Sequence, residues 1–206
     1  FVFLFVFDCL SFVERKNPLA AVRAFRQAFA PDARALLVLK VGHPEADPEA
    51  LAALRVAAPD PRIVLLEDAM TRSEVDSLIE ACDAYVSLHR SEGFGLTLAE
   101  AMLAGKPVIA TNWSGNTDFM TAENSFPVDA EIVTLTRDIG PYGAGSRWAE
   151  PDVEHAARLM RQVYERPDDV ARRVERAQLT LAEGFSPAAV ARRLRELVDG
   201  GVALPA

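Results

Sequence analysis

The sequence predicts an α/β fold, in which an open parallel sheet is flanked by helices and followed by further helices at the C-terminus. Two observations support this prediction. Short apolar runs alternate with amphipathic segments over residues 1–128, and strands alternating with helices favour a parallel sheet with right-handed crossovers. The first run, Phe1–Phe7, is apolar at every position, as expected for a strand buried on both faces.

The strands are predicted from short apolar runs that end at polar or turn-forming residues. The predicted strands are Phe1–Phe7, Ala35–Val41, Ile63–Leu66, Ala84–Leu88, Val108–Ala110 and Phe126–Val128. Their alternation with helices makes the predicted sheet Rossmann-like. Because ligands of such sheets bind beyond the C-terminal ends of the strands, residues that follow the strands are the candidates for a site.

The helices are predicted from their end signals and their apolar spacing. Asn17 before Pro18 is typical of a helix start, and Thr71 with Glu74 forms a candidate capping box. Gly105 ends a helix, as a residue that tolerates positive φ. The predicted helices are 17–29, Pro48–Ala57, 71–79, Thr97–Ala104, Pro151–Arg166, Asp168–Ala182 and Pro187–Val198, the last with Ser186 as N-cap.

The segment from Asp129 to Glu150 has no regular periodicity and contains several turn-forming residues around Pro141. We therefore predict a long irregular loop, which in a compact domain is either functional or mobile.

Composition excludes several classes of protein. The chain has 206 residues, is half hydrophobic and has a net charge of −8, which argues against binding nucleic acid through its phosphates. Cys9 and Cys82 are the only cysteines, so neither a disulfide framework nor a zinc site is expected. The run 1–7 is too short to span a bilayer and no basic segment precedes it. An apolar strand at the very start, without an initial Met, suggests a fragment.

The segment Ser91–Met102 carries the clearest functional signal. Glu92 and Glu100 lie eight positions apart, on either side of a Gly-Phe-Gly turn that leads into a helix. Gly93 and Gly95 permit positive φ and close backbone approach, and the free N–H groups of a helix N-terminus form a site for phosphate. The flanking carboxylates can accept hydrogen bonds from the hydroxyls of a sugar and a ribose. The pattern predicts a nucleotide-sugar site.

With the Glu-Ala-Met and Gly-Lys-Pro-Val-Ile-Ala sequences that follow, ending at Ala110, this segment resembles the paired-glutamate signature of retaining GT-B glycosyltransferases of group 1 (family 4). The resemblance runs from about residue 1 to about residue 166. It implies that residues 1–206 form the C-terminal, nucleotide-sugar-binding domain of a GT-B enzyme, and that the N-terminal acceptor domain is absent.

The resemblance also implies roles for individual residues. Glu92 is the expected catalytic residue, contacting the hydroxyls of the donor sugar, and Glu100 is expected to bind the ribose. The backbone of the turn would face the diphosphate, and a second turn would line the sugar side of the site. The further donor-binding residues implied are Gly93, Phe94, Gly95, Leu96, Thr97, Gly115 and Asn116.

Two lysines complete the predicted donor site. Lys16 matches a family position at which a lysine pairs with the diphosphate, whereas Leu10 stands where the family usually has an arginine. Arg15 could supply the missing charge, but in a regular loop its neighbouring position is expected to point it elsewhere. Lys40, at the end of a buried strand, either extends to the surface or lies near the phosphates or base and replaces the missing arginine.

Two residues just before Glu92 have simpler expectations. His89 is expected to be an ordinary loop histidine, because no catalytic partner is identifiable, and Arg90 to lie at the surface. No metal-binding pattern is found, so neither a cofactor nor a metal is expected. The lack of a Gly-x-Gly-x-x-Gly sequence after the first strand argues against a nicotinamide enzyme.

The resemblance implies a hexosyltransferase that acts on a glycan or lipid-linked acceptor bound by the missing domain, in polysaccharide or glycan biosynthesis. The intact enzyme is expected to be cytoplasmic, with peripheral membrane association, and this chain alone to be inactive. Two alternatives remain: a non-catalytic nucleotide-binding or interaction domain, and another GT-B enzyme such as a sugar epimerase. The sugar, base and acceptor cannot be predicted.

Overall fold

The computed structural model describes residues 1–199 and contains the predicted open parallel sheet with helices on both faces. The predicted domain also includes residues 200–206, which lie outside the described residues. The strands are β1 Val2–Asp8, β2 Leu36–Gly42, β3 Ile63–Leu66, β4 Ala84–Ser87, β5 Val108–Thr111, β6 Phe126–Val128, β7 Ala130–Thr134 and β8 Arg147–Pro151. The helices are α1 Val13–Lys16, α2 Pro18–Ala28, α3 Pro48–Ala57, α4 Arg72–Ala81, α5 Leu96–Leu103, α6 Val153–Glu165, α7 Pro167–Phe185 and α8 Pro187–Asp199.

The order of strands in the main sheet is β3-β2-β1-β4-β5-β6, with every neighbouring pair parallel. The chain builds outward from β1 to β3 and then returns to place β4 on the other side of β1. The loops after β1 and β4 therefore leave neighbouring strands in opposite directions. Such a switch point leaves a crevice at the C-terminal edge of the sheet, where ligands of open α/β sheets bind.

The sheet is buried on both faces because alternate residues of each strand point to opposite sides. In β1, Phe3, Phe5 and Phe7 belong to one apolar cluster, which includes residues of α2, α3 and α6. Leu4 belongs to the other, with residues of α4, α5 and α7. The apolar run at the start of the sequence is thus a central strand between two helical layers, as predicted.

Most predicted elements are confirmed, with ends displaced by a few residues. Thr71 and Glu74 form both hydrogen bonds of a capping box, and the Ser186 hydroxyl accepts a hydrogen bond from the backbone N–H of Ala189. Asn17 differs from the prediction. It occupies the N-cap position of α2, but in a left-handed conformation and without a side-chain cap bond, because it also ends the unpredicted one-turn helix α1.

The prediction of a long irregular loop over residues 129–150 was wrong. Strands β7 and β8 form a two-stranded antiparallel sheet, with Ala130 opposite Pro151 and Thr134 opposite Arg147. We call residues 130–151 the hairpin. Its strands contain charged residues and are separated by a turn-rich tip, so neither forms the apolar run from which the other strands were predicted.

Among residues 1–199, no helix is both long and apolar enough to cross a membrane.

Candidate functional site

A cleft of about 510 Å³ opens at the C-terminal edge of the sheet. Its walls come from the ends of β1, β2 and β3, from the loops that follow them and from the starts of α4 and α5. The lining residues are Val6, Phe7, Asp8, Ser11, Lys16, Lys40, Val41, Gly42, His43, Pro44, Glu45, Glu67, Ala69, Met70, Val75 and Thr97. The cleft lies at the edge predicted from the alternation of strands and helices.

An ion pair joins the two loops at the switch point. Glu92, in the loop after β4, accepts a hydrogen bond from the Lys16 ammonium of α1. The Arg15 guanidinium lies 3.4 Å from the same carboxylate and also donates to the Ser91 carbonyl at 3.0 Å. The expectation that Arg15 points elsewhere was wrong, because α1 turns both basic side chains toward the neighbouring loop. The side chains of Lys16 and Glu92 are only 14% and 13% exposed.

The electrostatics of Glu92 favour its charged form. Burial raises the pKa of this carboxyl, but the charge and hydrogen bond of Lys16, with a further contribution from Arg15, outweigh burial and hold the pKa below its ordinary value. A carboxylate held in its charged form beside two cations can accept hydrogen bonds from hydroxyls. It can also release a lysine to a more highly charged anion.

Helix α5 begins beside this ion pair. Its N-cap, Gly95, has φ 90°, and a Cβ there would lie 2.9 Å from a methyl group of Leu98. The first N–H groups of a helix have no intrahelical partner and carry partial positive charge. Leu96 is largely exposed and Thr97 lines the cleft, so the start of α5 is accessible to an anion.

Of the two glycines in the turn, only Gly95 has the positive φ that both were expected to permit. Gly93 does not have positive φ, and a Cβ added there would meet nothing within 4 Å. Gly115 is the position that cannot carry a side chain, since its Cβ would lie 1.9 Å from the Gly93 carbonyl oxygen. The Gly115 N–H donates to the Glu92 carbonyl at 3.1 Å, so the loop after β5 packs directly against the turn that carries Glu92.

Glu100 lies one turn farther along α5 and pairs with a residue that the sequence did not identify. Its Oε1 lies 2.8 Å from a guanidinium nitrogen of Arg72, at the start of α4, which also contacts Asp76 at 2.8 Å. Its Oε2 is buried without a hydrogen-bond partner. A buried carboxylate oxygen with an unused acceptor can take a hydroxyl donor.

Lys40 is buried rather than extended to the surface. It is 4% exposed, and its ammonium donates to the carbonyls of Val41 at 2.6 Å and Asp68 at 3.0 Å. Burial lowers the pKa of Lys40, and nearby Asp68 and Asp8 offset only part of that shift. Lys40 therefore lines the cleft while joining the end of β2 to the loop after β3.

His89 and Asn116 form a buried polar pair beneath the Glu92 loop. His89 Nδ1 lies 3.1 Å from the Ser87 hydroxyl and Nε2 lies 3.0 Å from Asn116 Oδ1. The Asn116 amide donates to the Thr111 carbonyl at 3.0 Å, and burial lowers the pKa of His89. Both side chains are satisfied within the protein, so any contact of Asn116 with a donor would have to use its backbone. Its predicted role stays a prediction.

Phe94, the middle residue of the turn, packs its ring away from the cleft. The ring lies 5.0 Å from that of Phe119 and 5.6 Å from that of Phe185 on α7. The ring anchors the turn to Phe119 and α7, so only the backbone of Phe94 could contact a nucleotide-sugar.

Non-glycine residues with positive φ also cluster at this edge. Phe12 and Asn17 follow β1, His43 follows β2 and Ser114 follows β5, with φ of 63°, 54°, 47° and 71°. Backbone strain of this kind persists only where the surrounding structure holds it, and it concentrates at functional sites. Its location agrees with that of the cleft.

Sequence reasoning missed Arg72 and misplaced Arg90. The Arg90 guanidinium donates to Glu150 at 2.7 and 3.0 Å and to the Glu14 carbonyl at 2.6 Å, so it is not a free surface residue. Both arginines pair with partners distant in sequence. A single sequence contains no local signal for such pairs.

Comparisons with known proteins identify the family and the fold. A family model described as Glycosyl transferases group 1 matches residues 5–180. Among curated proteins, no sequence matches the chain significantly.

Solved structures share the fold at low identity. The chain is similar to HepE of Anabaena, solved with UDP and glucose, at 18% identity over 97% of this chain and 48% of HepE, with a TM-score of 0.70. It is similar to a TarM mutant of S. aureus, solved with fondaparinux, alpha-GlcNAc-glycerol and UDP, at 13% identity over 94% of this chain and 34% of TarM, with a TM-score of 0.69.

A third similar structure is the C-terminal domain of the group 1 glycosyl transferase family protein LpcC of Francisella tularensis. It is 17% identical over 90% of this chain and 86% of that domain, with a TM-score of 0.65. The chain thus spans about half the length of HepE and about a third of TarM, and most of the isolated LpcC domain. These likenesses confirm the predicted fold class, the C-terminal half of a GT-B fold.

Proposed function

The chain belongs to the group 1 glycosyl transferases, and we propose that it binds the nucleoside-diphosphate sugar donor of a retaining hexosyltransferase of family 4. The observation that carries the proposal is the Lys16–Glu92 ion pair at the switch point, beside the free N-terminus of α5. A cation and helix N–H groups suit a diphosphate, and the carboxylate suits the hydroxyls of a sugar.

The proposed binding exchanges ion pairs. A diphosphate carries more charge than one carboxylate, so Lys16 leaves Glu92 for the phosphates while the N–H groups of Gly95, Leu96 and Thr97 bind the other oxygens. Glu92 then accepts hydrogen bonds from the sugar and holds its anomeric carbon in place. Glu100, through its unpaired Oε2, takes a ribose hydroxyl. Gly115 lets the loop after β5 approach the backbone of Gly93 beside the sugar.

In the transfer step, the leaving group is the nucleoside diphosphate, whose negative charge grows as its bond to the anomeric carbon breaks. Lys16 and the start of α5 would stabilise that charge. The acceptor, a glycan or lipid-linked molecule, would bind to a domain that precedes this one. Retention, a hexose donor, a cytoplasmic location, peripheral membrane association and a role in polysaccharide biosynthesis are parts of the same proposal.

Calorimetric titration of this chain with UDP and GDP, with and without EDTA, tests donor binding. We expect weak binding of at least one nucleotide, unchanged by EDTA, because the proposed site uses backbone N–H groups and Lys16 rather than a metal. Failure of both nucleotides to bind would refute the proposed function, and binding that requires Mg²⁺ would refute the metal-independent site.

A donor-consumption assay tests whether sugar transfer requires the acceptor-binding domain in addition to this chain. The chain alone should not release nucleoside diphosphate in the presence of glycan acceptors, whereas the chain extended upstream should. Acceptor-dependent release by the chain alone would show a complete catalyst. Epimer formation by the extended chain would favour a sugar epimerase. Nucleotide binding by the extended chain without any turnover would favour a non-catalytic domain.

A further inference from the structure

The contacts of the hairpin point to a role in positioning the donor site. We propose that the hairpin, acting through Arg90 and Phe12, is a brace that positions Lys16 against Glu92 across the switch point. The brace deepens the proposed function and rests on it, because its effect is on donor binding. None of its residues has to touch the donor, so they are positioning residues.

Arg90 joins three segments that are distant in sequence. Its own backbone belongs to the loop after β4, two residues before Glu92. Its guanidinium pairs with both oxygens of Glu150 on β8, at 2.7 and 3.0 Å, and donates to the Glu14 carbonyl in α1 at 2.6 Å. A planar guanidinium can make such bonds in fixed directions, which a lysine cannot.

Backbone hydrogen bonds strengthen the same junction. The Arg90 N–H donates to the Arg15 carbonyl at 2.8 Å, and the Ala149 N–H of β8 donates to the Arg90 carbonyl at 2.9 Å. The Arg90 guanidinium also lies over the Trp148 ring, 5.1 Å from its centroid. Residue 90 is therefore bonded on one side to α1, which carries Lys16, and on the other side to the hairpin.

The tip of the hairpin makes the second contact. Gly140 lies so close to Phe12 that a Cβ at position 140 would be 2.3 Å from two carbons of the Phe12 ring. Phe12 precedes α1 and is 39% exposed despite its size. The hairpin thus touches the segment that carries Lys16 at both ends, at Phe12 before α1 and through Arg90 at Glu14 and Arg15.

This segment needs external support. Helix α1 has only four residues, and it is bounded by Phe12 and Asn17, both with positive φ. A single helical turn is unstable by itself, and strained residues persist only when their surroundings hold them. Without the hairpin, the ammonium of Lys16 would be free to leave the position where a diphosphate is expected to meet it.

A matched pair of glycine substitutions tests the brace. Gly140→Ala forces the tip away from Phe12, whereas Gly145→Ala adds the same methyl group at another positive-φ glycine of the tip, where nothing lies within 4 Å. Both variants carry the backbone penalty of a left-handed alanine. We expect Gly140→Ala to bind UDP or GDP about fivefold more weakly than Gly145→Ala, within the range of coupling between contacting residues.

A double-mutant cycle separates positioning from general destabilisation. If the brace acts through Lys16, Lys16→Ala weakens nucleotide binding of the Gly145→Ala protein by about tenfold but that of the Gly140→Ala protein by less than about twofold. Equal effects of Lys16→Ala in the two backgrounds would overturn the proposal. Thermal unfolding of each variant shows whether it is folded at the assay temperature.

The other end of the brace provides an independent test if Gly140→Ala does not fold. Arg90→Lys and Glu150→Gln each remove the bidentate ion pair with little change in side-chain size. Each substitution should weaken nucleotide binding, and each should reduce the further loss of binding caused by Lys16→Ala. If the wild-type chain binds neither UDP nor GDP, the proposed function fails and the brace fails with it. If the wild type binds and these variants bind like Gly145→Ala, only the brace is overturned.

Discussion

Two lysines line the cleft, but their ammonium groups have different partners. At the switch-point end, where Ser11 and Lys16 line the cleft, Lys16 is paired with the Glu92 carboxylate of the loop after β4. At the far end, formed by residues 43–47 and 67–71, Lys40 is held by two backbone carbonyls. An ammonium paired with a carboxylate can change partner when a stronger anion arrives. By contrast, an ammonium that donates to backbone carbonyls at the ends of two strands, as Lys40 does, holds those ends together and has a structural role.

The Lys16–Glu92 pair can form only if the backbone at the switch-point end is fixed. Two glycine substitutions test this, and one of them has the largest expected effect on stability. Gly115→Ala would place a Cβ 1.9 Å from the Gly93 carbonyl oxygen, whereas Gly93→Ala meets nothing within 4 Å. We expect Gly115→Ala to lower the free energy of unfolding by about 3 kcal/mol, at the upper end of overpacking. Gly93→Ala should change it by less than about 0.5 kcal/mol. Chemical denaturation measures both, and equal stabilities would show that the two loops are mobile relative to each other.

The two lysines can be compared directly with the same substitution. Lys40→Met should lower the free energy of unfolding by about 2 kcal/mol, because it removes the ammonium that donates to the Val41 and Asp68 carbonyls. Lys16→Met should cost less stability but should weaken UDP or GDP binding, and the loss of affinity should shrink as salt rises. Calorimetry measures the nucleotide affinity of both variants, and chemical denaturation measures their free energies of unfolding. If Lys16→Met is the less stable of the two and still binds nucleotide like the wild type, the comparison is reversed.

The two glutamates sharpen the account of the switch-point end. Glu100→Ala should weaken binding of free nucleoside diphosphate by about 1.5 kcal/mol, the value of one hydrogen bond to a charged group. Glu92→Gln should leave free diphosphate bound at least as tightly, because it removes the carboxylate that competes for Lys16, and should weaken only binding or turnover of the sugar donor. Titrations with the free nucleotide and the donor measure the two effects. Equal loss of the free nucleotide in both variants would contradict the assigned roles.

The smallest expected effect is a pH dependence beneath the Glu92 loop. Burial lowers the pKa of His89 from an unfolded value near 6.5, so the folded protein binds fewer protons than the unfolded chain below that pH. The stability associated with neutral His89 is present above pH 6.5 and is lost as the pH falls from 6.5 toward the folded pKa. Between pH 6.5 and 5.5 this loss is limited to about 1 kcal/mol. His89→Gln should show a flatter stability profile over this range, and parallel profiles would contradict the predicted pH dependence.

The main features of the fold could be predicted from the sequence because they depend on local signals. Apolar runs, a capping box at Thr71 and helix-ending glycines each act within a few residues, so strands and helices were located nearly correctly. The two strands of the hairpin were missed because neither is a continuous apolar run, and each pairs with a partner more than ten positions away. Pairing at that separation is not encoded in any local period.

The same distinction applies to the candidate site. The sequence by itself indicated Glu92, Glu100 and the start of α5 as candidates, since a turn between paired carboxylates before a helix is a local pattern. Lys16 became a candidate through the resemblance to the family. Only the tertiary structure decided that Arg15 faces Glu92, that Arg72 faces Glu100 and that Lys40 is bound by carbonyls. The physical reason is that a charged side chain takes the partner that the packing of loops brings within reach. That choice depends on strand order, which a single sequence does not contain.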